Sequence, residues 1–369
     1  MVNKKINRNI LLISSTIYGG SFNSFLINIR NANNLFDKVK VVFISNTRDN
    51  TIDIDGIENE NIYIPNLKKV YYMPILERYI KPKLNNILSS EHYDLIISYT
   101  EIYNSFITDV SKKYNIPVIF NINTFTNFRA KSIATHYFKR GCRNSWGLLF
   151  GSTPLEKDFM KYHSIKHDNT FIVYMPIDTK IYSPIEPINP DNHNVIAAGR
   201  LTKLKKYDLL LNAMNLVLKE IPDSKLLIAG EGDQMKKLKN LTVNIGIERN
   251  VEFLGFQENM LSIYHRGSIF AHTCEYETFC RVIAESLSCG IPTVTSSKGG
   301  PEEILADGVG GYVVEPTPEK ISEKIIYLLK NPEIRLKLGM MGRKKAIENF
   351  SIPIFDSKME KIYRLVLEK

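Results

Sequence analysis

Two glutamates with seven residues between them frame the segment Glu277-Thr-Phe-Cys-Arg-Val-Ile-Ala-Glu285. Cys274-Glu-Tyr precedes it, and Ser286-Leu-Ser-Cys-Gly-Ile-Pro292 follows. Val282 to Leu287 reads as a helix that stops at Gly290, and Pro292-Thr-Val-Thr-Ser296 reads as a short buried strand. Glu277 then falls in the loop before the helix and Glu285 about two turns along. A loop carboxylate, free N–H groups at a helix start and a second carboxylate further in suit a sugar nucleotide. Its hydroxyls can meet the carboxylates while its phosphates meet the helix N-terminus. The spacing alone is also that of an ordinary solvated helix with a surface glutamate.

A second group stands upstream, where Gly199-Arg-Leu-Thr-Lys-Leu-Lys205 directly follows the apolar run Val195-Ile-Ala-Ala198. Arg200 offers a planar fork for phosphate oxygens and Lys205 a point charge. Together they could stabilise a diphosphate leaving group, with about 3–4 kcal/mol available per well-placed donor. With two cations in place no metal is expected, and no Asp-x-Asp motif stands on a strand end. Lys205 is flanked by Lys203 and Lys206, so a solvated role stays open for it. His265 and His272 show no metal-like spacing and read as satisfied or surface histidines.

These groups need elements to hold them. Both halves of the chain alternate strand-like apolar runs with helical segments, the pattern of α/β layers with parallel sheets. The first half offers Ile10–Ser14, Val39–Ser45, Leu95–Ser98, Val118–Asn121, Leu148–Gly151 and Phe171–Tyr174 as strands. After the first comes Thr16-Ile-Tyr-Gly-Gly-Ser, then a helix with Phe22, Phe25, Leu26, Ile29 and Ala32 on one face. Three prolines in Ser183-Pro-Ile-Glu-Pro-Ile-Asn-Pro mark a linker. The second half restarts at Val195–Ala198. It continues through Leu226–Ala229, Val251–Leu254, Ile269–His272, Thr293–Thr295 and Tyr312–Val314.

At 369 residues the chain can hold two domains, and 44% apolar with 24% charged residues is ordinary for a globular protein. The four cysteines, Cys142, Cys274, Cys280 and Cys289, have no CxxC spacing, as expected of a reduced cytoplasmic protein. The apolar run after Asn9, Ile10-Leu-Leu-Ile13, is too short for a signal peptide or a membrane span. Residues 1–182 hold 23 Lys and Arg against 15 Asp and Glu, a balance of +8, and the remainder balances at +1. A basic half suits an anionic substrate or an anionic membrane surface, with Lys81, Lys83, Lys131, Lys139, Arg140 and Arg143 the nearest to clusters. It also suits a merely soluble surface. No zinc-finger or RNP-like motif points to nucleic acid.

Taken in order, Gly199-Arg-Leu-Thr-Lys-Leu-Lys205, Glu277-Thr-Phe-Cys-Arg-Val-Ile-Ala-Glu285 with Cys289-Gly-Ile-Pro, and Gly299-Gly-Pro-Glu-Glu-Ile304 resemble the donor-binding signature of the family 4 glycosyltransferases. The resemblance is dense from about Asn194 to Phe350. It implies a GT-B fold: two Rossmann-like domains with parallel sheets facing across a cleft. Their expected bounds are 1–182 with a crossover helix at 351–369, a linker at 183–193, and a donor-binding domain at 194–350. It implies a retaining, metal-independent enzyme that moves a sugar from a UDP- or GDP-sugar to a glycan or lipid-linked acceptor in surface-polysaccharide assembly.

By the same resemblance Arg200 and Lys205 contact the diphosphate, Glu277 the sugar hydroxyls and Glu285 the ribose. Backbone N–H groups around Thr278, Phe279 and Cys280 cradle the distal phosphate. Gly19 and Gly20 match the glycine pair of the first domain, and Glu231, in Gly230-Glu-Gly232, matches the nucleobase-side loop. The chain departs from the family at Cys280 and Lys206, where glycine is usual, at Thr278, and at Asn123, near a usual histidine. Asn123 cannot titrate near neutral pH. A non-catalytic sugar-nucleotide-binding subunit and a nucleotide-sugar epimerase of the same fold remain as alternatives.

Overall fold

The computed structural model describes residues 5–15, 20–46, 53–54, 56–64, 73–100, 102–124, 133–185 and 189–368. The chain divides into two compact units, one of Met1–Tyr174 with Phe355–Lys369 and one of Met175–Ile354. The first break precedes the proline-rich stretch 183–193, which groups with the second unit instead of standing between the two.

In the first unit, β1 (Ile6–Ser14), β2 (Phe36–Ser45), β3 (Glu58–Tyr63), β4 (Leu95–Tyr99), β5 (Val118–Ile122), β6 (Gly147–Phe150) and β7 (Thr170–Ile172) form one sheet. Every pairing is parallel, in the order β3-β2-β1-β4-β5-β6-β7. The helices are α1 (Gly20–Leu35), α2 (Met73–Ser90), α3 (Asn104–Ser111), α4 (Ile133–Asn144) and α5 (Thr153–His163). Successive strand residues face opposite sides. Leu11 and Ile13 of β1 thus join one core with α2 to α5, while Ile10 and Leu12 join another with α1. On α1 the expected stripe is inward: Phe25, Ile29 and Ala32 are buried, with Phe22 and Leu26 packed beside them. The edge strand β3, Glu-Asn-Glu-Asn-Ile-Tyr, is polar and has no apolar run to reveal it. Its Glu58 and Glu60 pair with Lys38 and Lys40 of β2.

In the second unit the strands are β8 (Asn194–Ala198), β9 (Lys225–Ala229), β10 (Val251–Gly255), β11 (Ile269–His272), β12 (Tyr276–Glu277), β13 (Thr293–Thr295), β14 (Lys298–Gly299) and β15 (Gly311–Val313). Six form a parallel sheet in the order β10-β9-β8-β11-β13-β15, and β12 pairs with β14 alone. The helices are α6 (Tyr207–Glu220), α7 (Met235–Asn244), α8 (Met260–Tyr264), α9 (Arg281–Ser288), α10 (Gly300–Ile304), α11 (Pro318–Lys330) and α12 (Pro332–Phe350). Val195 and Ala197 pack with Leu211 and Met214 of α6 and Ile325 of α11. The last helix, α13 (Ile352–Leu367), packs in the first unit, where the Tyr363 hydroxyl donates to Asn28 at 2.7 Å and its ring meets Phe36 edge-on.

Both sheets count outward from their first strand in two directions, so each has a switch point between its first and fourth principal strands. In such open sheets ligands bind beyond the strand C-termini at that point. In the second unit the place lies after β8 and β11, where the charged motifs stand.

Candidate active site

The chain leaves β8 through Gly199, at φ 140°, and lays Arg200 and Leu201 against the loop after β9. Gly199 N–H donates to Ala229 O at 3.0 Å and Leu201 N–H to Glu231 O at 2.8 Å. A Cβ at Gly230 or Gly232 would sit on the carbonyl oxygens of Gly199 and Leu201. The glycines of Gly230-Glu-Gly232 thus serve close backbone approach. A 3₁₀ turn over Lys203–Lys205 then leads into α6 through Lys206, at φ 50°.

The β11 loop crosses to meet this turn. Thr273 Oγ1 donates to Lys205 O at 2.9 Å and to Lys206 O at 3.0 Å, and Glu275 N–H donates to Leu204 O at 3.1 Å. This stitching brings Lys205 Nζ onto the Glu277 carboxylate as an ion pair. His272, at the end of β11, places Nε2 at 3.6 Å from Glu277 Oε1 and 3.5 Å from Cys280 Sγ. Its Nδ1 lies 2.8 Å from Ser297 Oγ.

The electrostatics follow from these neighbours. Burial alone would raise the Glu277 carboxyl, but His272 and Lys205 outweigh it and hold it at about 2. Burial pulls the Lys205 ammonium down and Glu277 more than restores it, for a net rise. Desolvation lowers His272, so its ring is neutral at pH 7. Desolvation also pushes the Cys280 thiol well up. A charged Lys–Glu pair beside a neutral imidazole and a neutral thiol results.

Glu277 pairs with Gly299 across the short ladder, and a Cβ at Gly300 would lie 2.5 Å from Phe279 Cα. Gly299-Gly300 therefore supports the Glu277 loop from beneath. Phe279 is buried, with its ring 5.4 Å from that of Phe350, so it anchors the loop in the core. Cys280 caps α9 at φ 74°, ψ 74°. Both departures from the family's glycines, Cys280 and Lys206, thus stand in left-handed backbone, which accounts for the usual glycine there. The N–H groups of Arg281 and Val282, at the start of α9, have no intrahelical acceptor.

The remaining candidates are placed differently. Arg200 is exposed, and among the described residues its guanidinium has no ion-pair partner. Thr278 is half-buried beside Glu277 in sequence, and the exposed Glu231 accepts from Phe256 N–H at 3.4 Å. Glu285 is buried inside α9, its oxygens accepting from Tyr264 Oη at 2.9 Å and Arg281 Nε at 2.6 Å. Gly20 opens α1 and Asn123 follows β5, both in the first unit; Gly19 lies outside the described residues.

The reading of His272 needs correction. His272 is no isolated histidine: it clusters with Glu277 and Cys280, partners five and eight positions on that periodicity does not disclose. The sequence holds one Asp-x-Asp, Asp53-Ile-Asp55, between β2 and β3 in chain order, and Asp55 is outside the described residues. A cavity of about 780 Å³ in the second unit, bordered by Pro184, Asn194, Gly267, Pro292 and Arg335, opens at the opposite ends of the strands from this cluster.

The profile of the family "Glycosyl transferases group 1" matches residues 178–345. N-acetyl-alpha-D-glucosaminyl L-malate synthase of Bacillus anthracis is 28% identical over 204 residues, 53% of this chain and 53% of that protein. Poly(glycerol-phosphate) alpha-glucosyltransferase of Bacillus subtilis is 28% identical over 207 residues, 56% of this chain and 31% of that one. The chain spans about half, or less, of the length of these curated relatives. The crystal structure of Anabaena HepE in complex with UDP superposes with a TM-score of 0.82 over 96% of this chain and 99% of that one, at 17% identity, a likeness of fold. The profile match places residues 178–345 with the group 1 glycosyltransferases, and the two parallel sheets and the structural likeness give the chain the GT-B fold.

Proposed function

We propose that the chain transfers a sugar from a UDP- or GDP-sugar to a hydroxyl of a glycan or lipid-linked acceptor, with retention and without a metal ion, in cell-surface polysaccharide assembly. The Lys205–Glu277 pair at the switch point carries this reading. Lys205 and the exposed Arg200 offset charge gathering on the departing diphosphate, while the first N–H groups of α9 meet the distal phosphate. Glu277, ionised at neutral pH, accepts from sugar hydroxyls and orients the donor. Asn123 offers no base, so the departing phosphate takes the acceptor proton. Anabaena HepE holding UDP supports a uridine donor.

A lipid-linked acceptor fits the outer face of α2. There Ile75 and Tyr79, 47% and 45% exposed, stand a turn apart with Arg78 and the exposed Lys83 beside them. The other basic candidates contribute less. Lys81 is tied to Glu77 and Asp109, Arg140 to Asp109, and Lys131 lies outside the described residues. Lys139 is half-buried and Arg143 exposed on α4. Among the described residues no helix is long and apolar enough to cross a membrane.

The test is a panel of UDP- and GDP-sugars scored by thermal shift and by release of nucleotide, with and without EDTA. One nucleotide class is expected to stabilise the chain, and release should persist in EDTA. No shift and no release across the panel would contradict the reading; binding without release under any acceptor would instead favour a non-catalytic subunit.

A further inference from the structure

The cluster that faces the proposed donor also has the make-up of a metal site. Among the described residues, one group of three His, Cys, Asp or Glu brings its ligand atoms within 4.8 Å of one another: His272, Glu277 and Cys280. Bonds of about 2.3 Å from zinc to sulfur, 2.0–2.1 Å to nitrogen and 2.0–2.2 Å to oxygen, at the tetrahedral angle, set sulfur and nitrogen about 3.5–3.6 Å apart. Nitrogen and oxygen then stand about 3.3–3.5 Å apart. Cys280 Sγ is 3.5 Å from His272 Nε2, and Nε2 is 3.6 Å from Glu277 Oε1. Both separations are met with almost no movement.

The surroundings agree. Ser297 Oγ holds His272 Nδ1 at 2.8 Å, the outer partner that orients a ligating imidazole and leaves Nε2 for the ion. His272 and Cys280 are buried, with their positions set by β11 and the cap of α9. Lys205, at the end of a four-carbon stem, is the group that must swing aside. Glycine, the family's usual residue at position 280, would supply no ligand.

We propose that His272, Glu277 and Cys280 bind Zn²⁺, or a divalent ion of similar softness, when no donor is present, and that the bound ion shuts the donor site. As the zinc–sulfur bond forms, the Cys280 S–H proton leaves to solvent, one proton per ion, with no change of oxidation state. Closure follows because the ion takes the Glu277 carboxylate and displaces Lys205. That consequence rests on the function proposed above; the binding itself does not.

The full chain, free of nucleotide, is titrated with Co²⁺ as a spectroscopic probe and with Zn²⁺ by calorimetry in two buffers of different protonation enthalpy. One ion per chain, a thiolate-to-cobalt charge-transfer band and one released proton are expected. Cys280→Ser should abolish the band and weaken Zn²⁺ about tenfold or more, while Cys274→Ser keeps both. Ser297→Ala, which leaves all three ligands in place, should keep the band and weaken Zn²⁺ about 10–100-fold. Thermal melts establish that each variant is folded. Absence of stoichiometric binding, or a band that survives in Cys280→Ser, overturns the site. If Zn²⁺ binds but a stabilising UDP- or GDP-sugar still binds equally well in its presence, the closure is overturned. If Zn²⁺ binds while no nucleotide sugar binds to metal-free protein, the metal site stands and the functional reading falls.

Discussion

The two sheets follow one strand order and place different chemistry at their switch points. Beyond β1 and β4 the described side chains are neutral: Ser14, Ser98 and Thr100 are buried, with Ser98 Oγ 2.9 Å from Thr100 Oγ1. Beyond β8 and β11 stand an ion pair, a buried imidazole and a thiol, on loops tied together by Thr273 and Glu275. The architecture is shared, so it cannot by itself specify the donor site. Charge placement on stitched loops distinguishes the second unit.

The largest expected effect falls on a carboxylate buried within α9. Glu285→Ala should cost about 3–5 kcal/mol of stability, because it leaves the Arg281 charge without its partner in a largely buried place. Urea denaturation measures it. Preserved stability with weakened UDP binding would assign Glu285 a ribose contact and no role in folding. Next, Glu277→Gln should lower turnover about 10²–10³-fold while changing UDP affinity little, since its partner is the sugar. Ser98→Ala, at the first unit's switch point, should leave turnover unchanged. Equal losses of turnover in the two variants would erase the contrast between the sheets.

Acid provides a third test. The Glu277 carboxyl is held at about 2 against an ordinary 4.5, so its stabilisation is complete above the ordinary value and is lost as pH falls towards 2. The contribution at neutral pH is on the order of 3 kcal/mol. Denaturation between pH 5 and pH 3 should show a steeper loss in the wild type than in Glu277→Gln; parallel curves would mean the pair adds nothing to folding. The smallest effect is expected at Lys206, whose left-handed backbone suits glycine. Lys206→Gly should stabilise by about 0.5–1 kcal/mol, as relief of strain of about 1–2 kcal/mol exceeds the added flexibility of the unfolded chain. A lower melting temperature would show that the Lys206 side chain contributes more than its backbone strain costs.

The long strands were legible in the sequence because parallel strands bury both faces and read as unbroken apolar runs, as in Ile10–Ser14 and Leu226–Ala229. The polar edge strand β3 was not, since its pairing depends on lysines supplied by β2. The two-residue strands β12 and β14 are too short for any periodicity, yet they position Glu277. Within the candidate site, Arg200, Lys205 and Glu277 could be picked out by type and spacing. His272 could not, because Ser297, which orients it, is 25 residues away. The engagement of Glu285 was hidden in the same way, one partner being Tyr264, 21 positions earlier.

The central claim is that Arg200 and Lys205 make the second unit's switch point a diphosphate site. Calorimetric titration of the full chain and of Arg200→Ala and Lys205→Ala with UDP and GDP tests it most directly. One nucleotide should bind the wild type, and each substitution should weaken it by about 1.5–3 kcal/mol, the range for hydrogen bonds to charged groups. Unchanged affinity in both variants would contradict the claim and move the nucleotide to another part of the molecule.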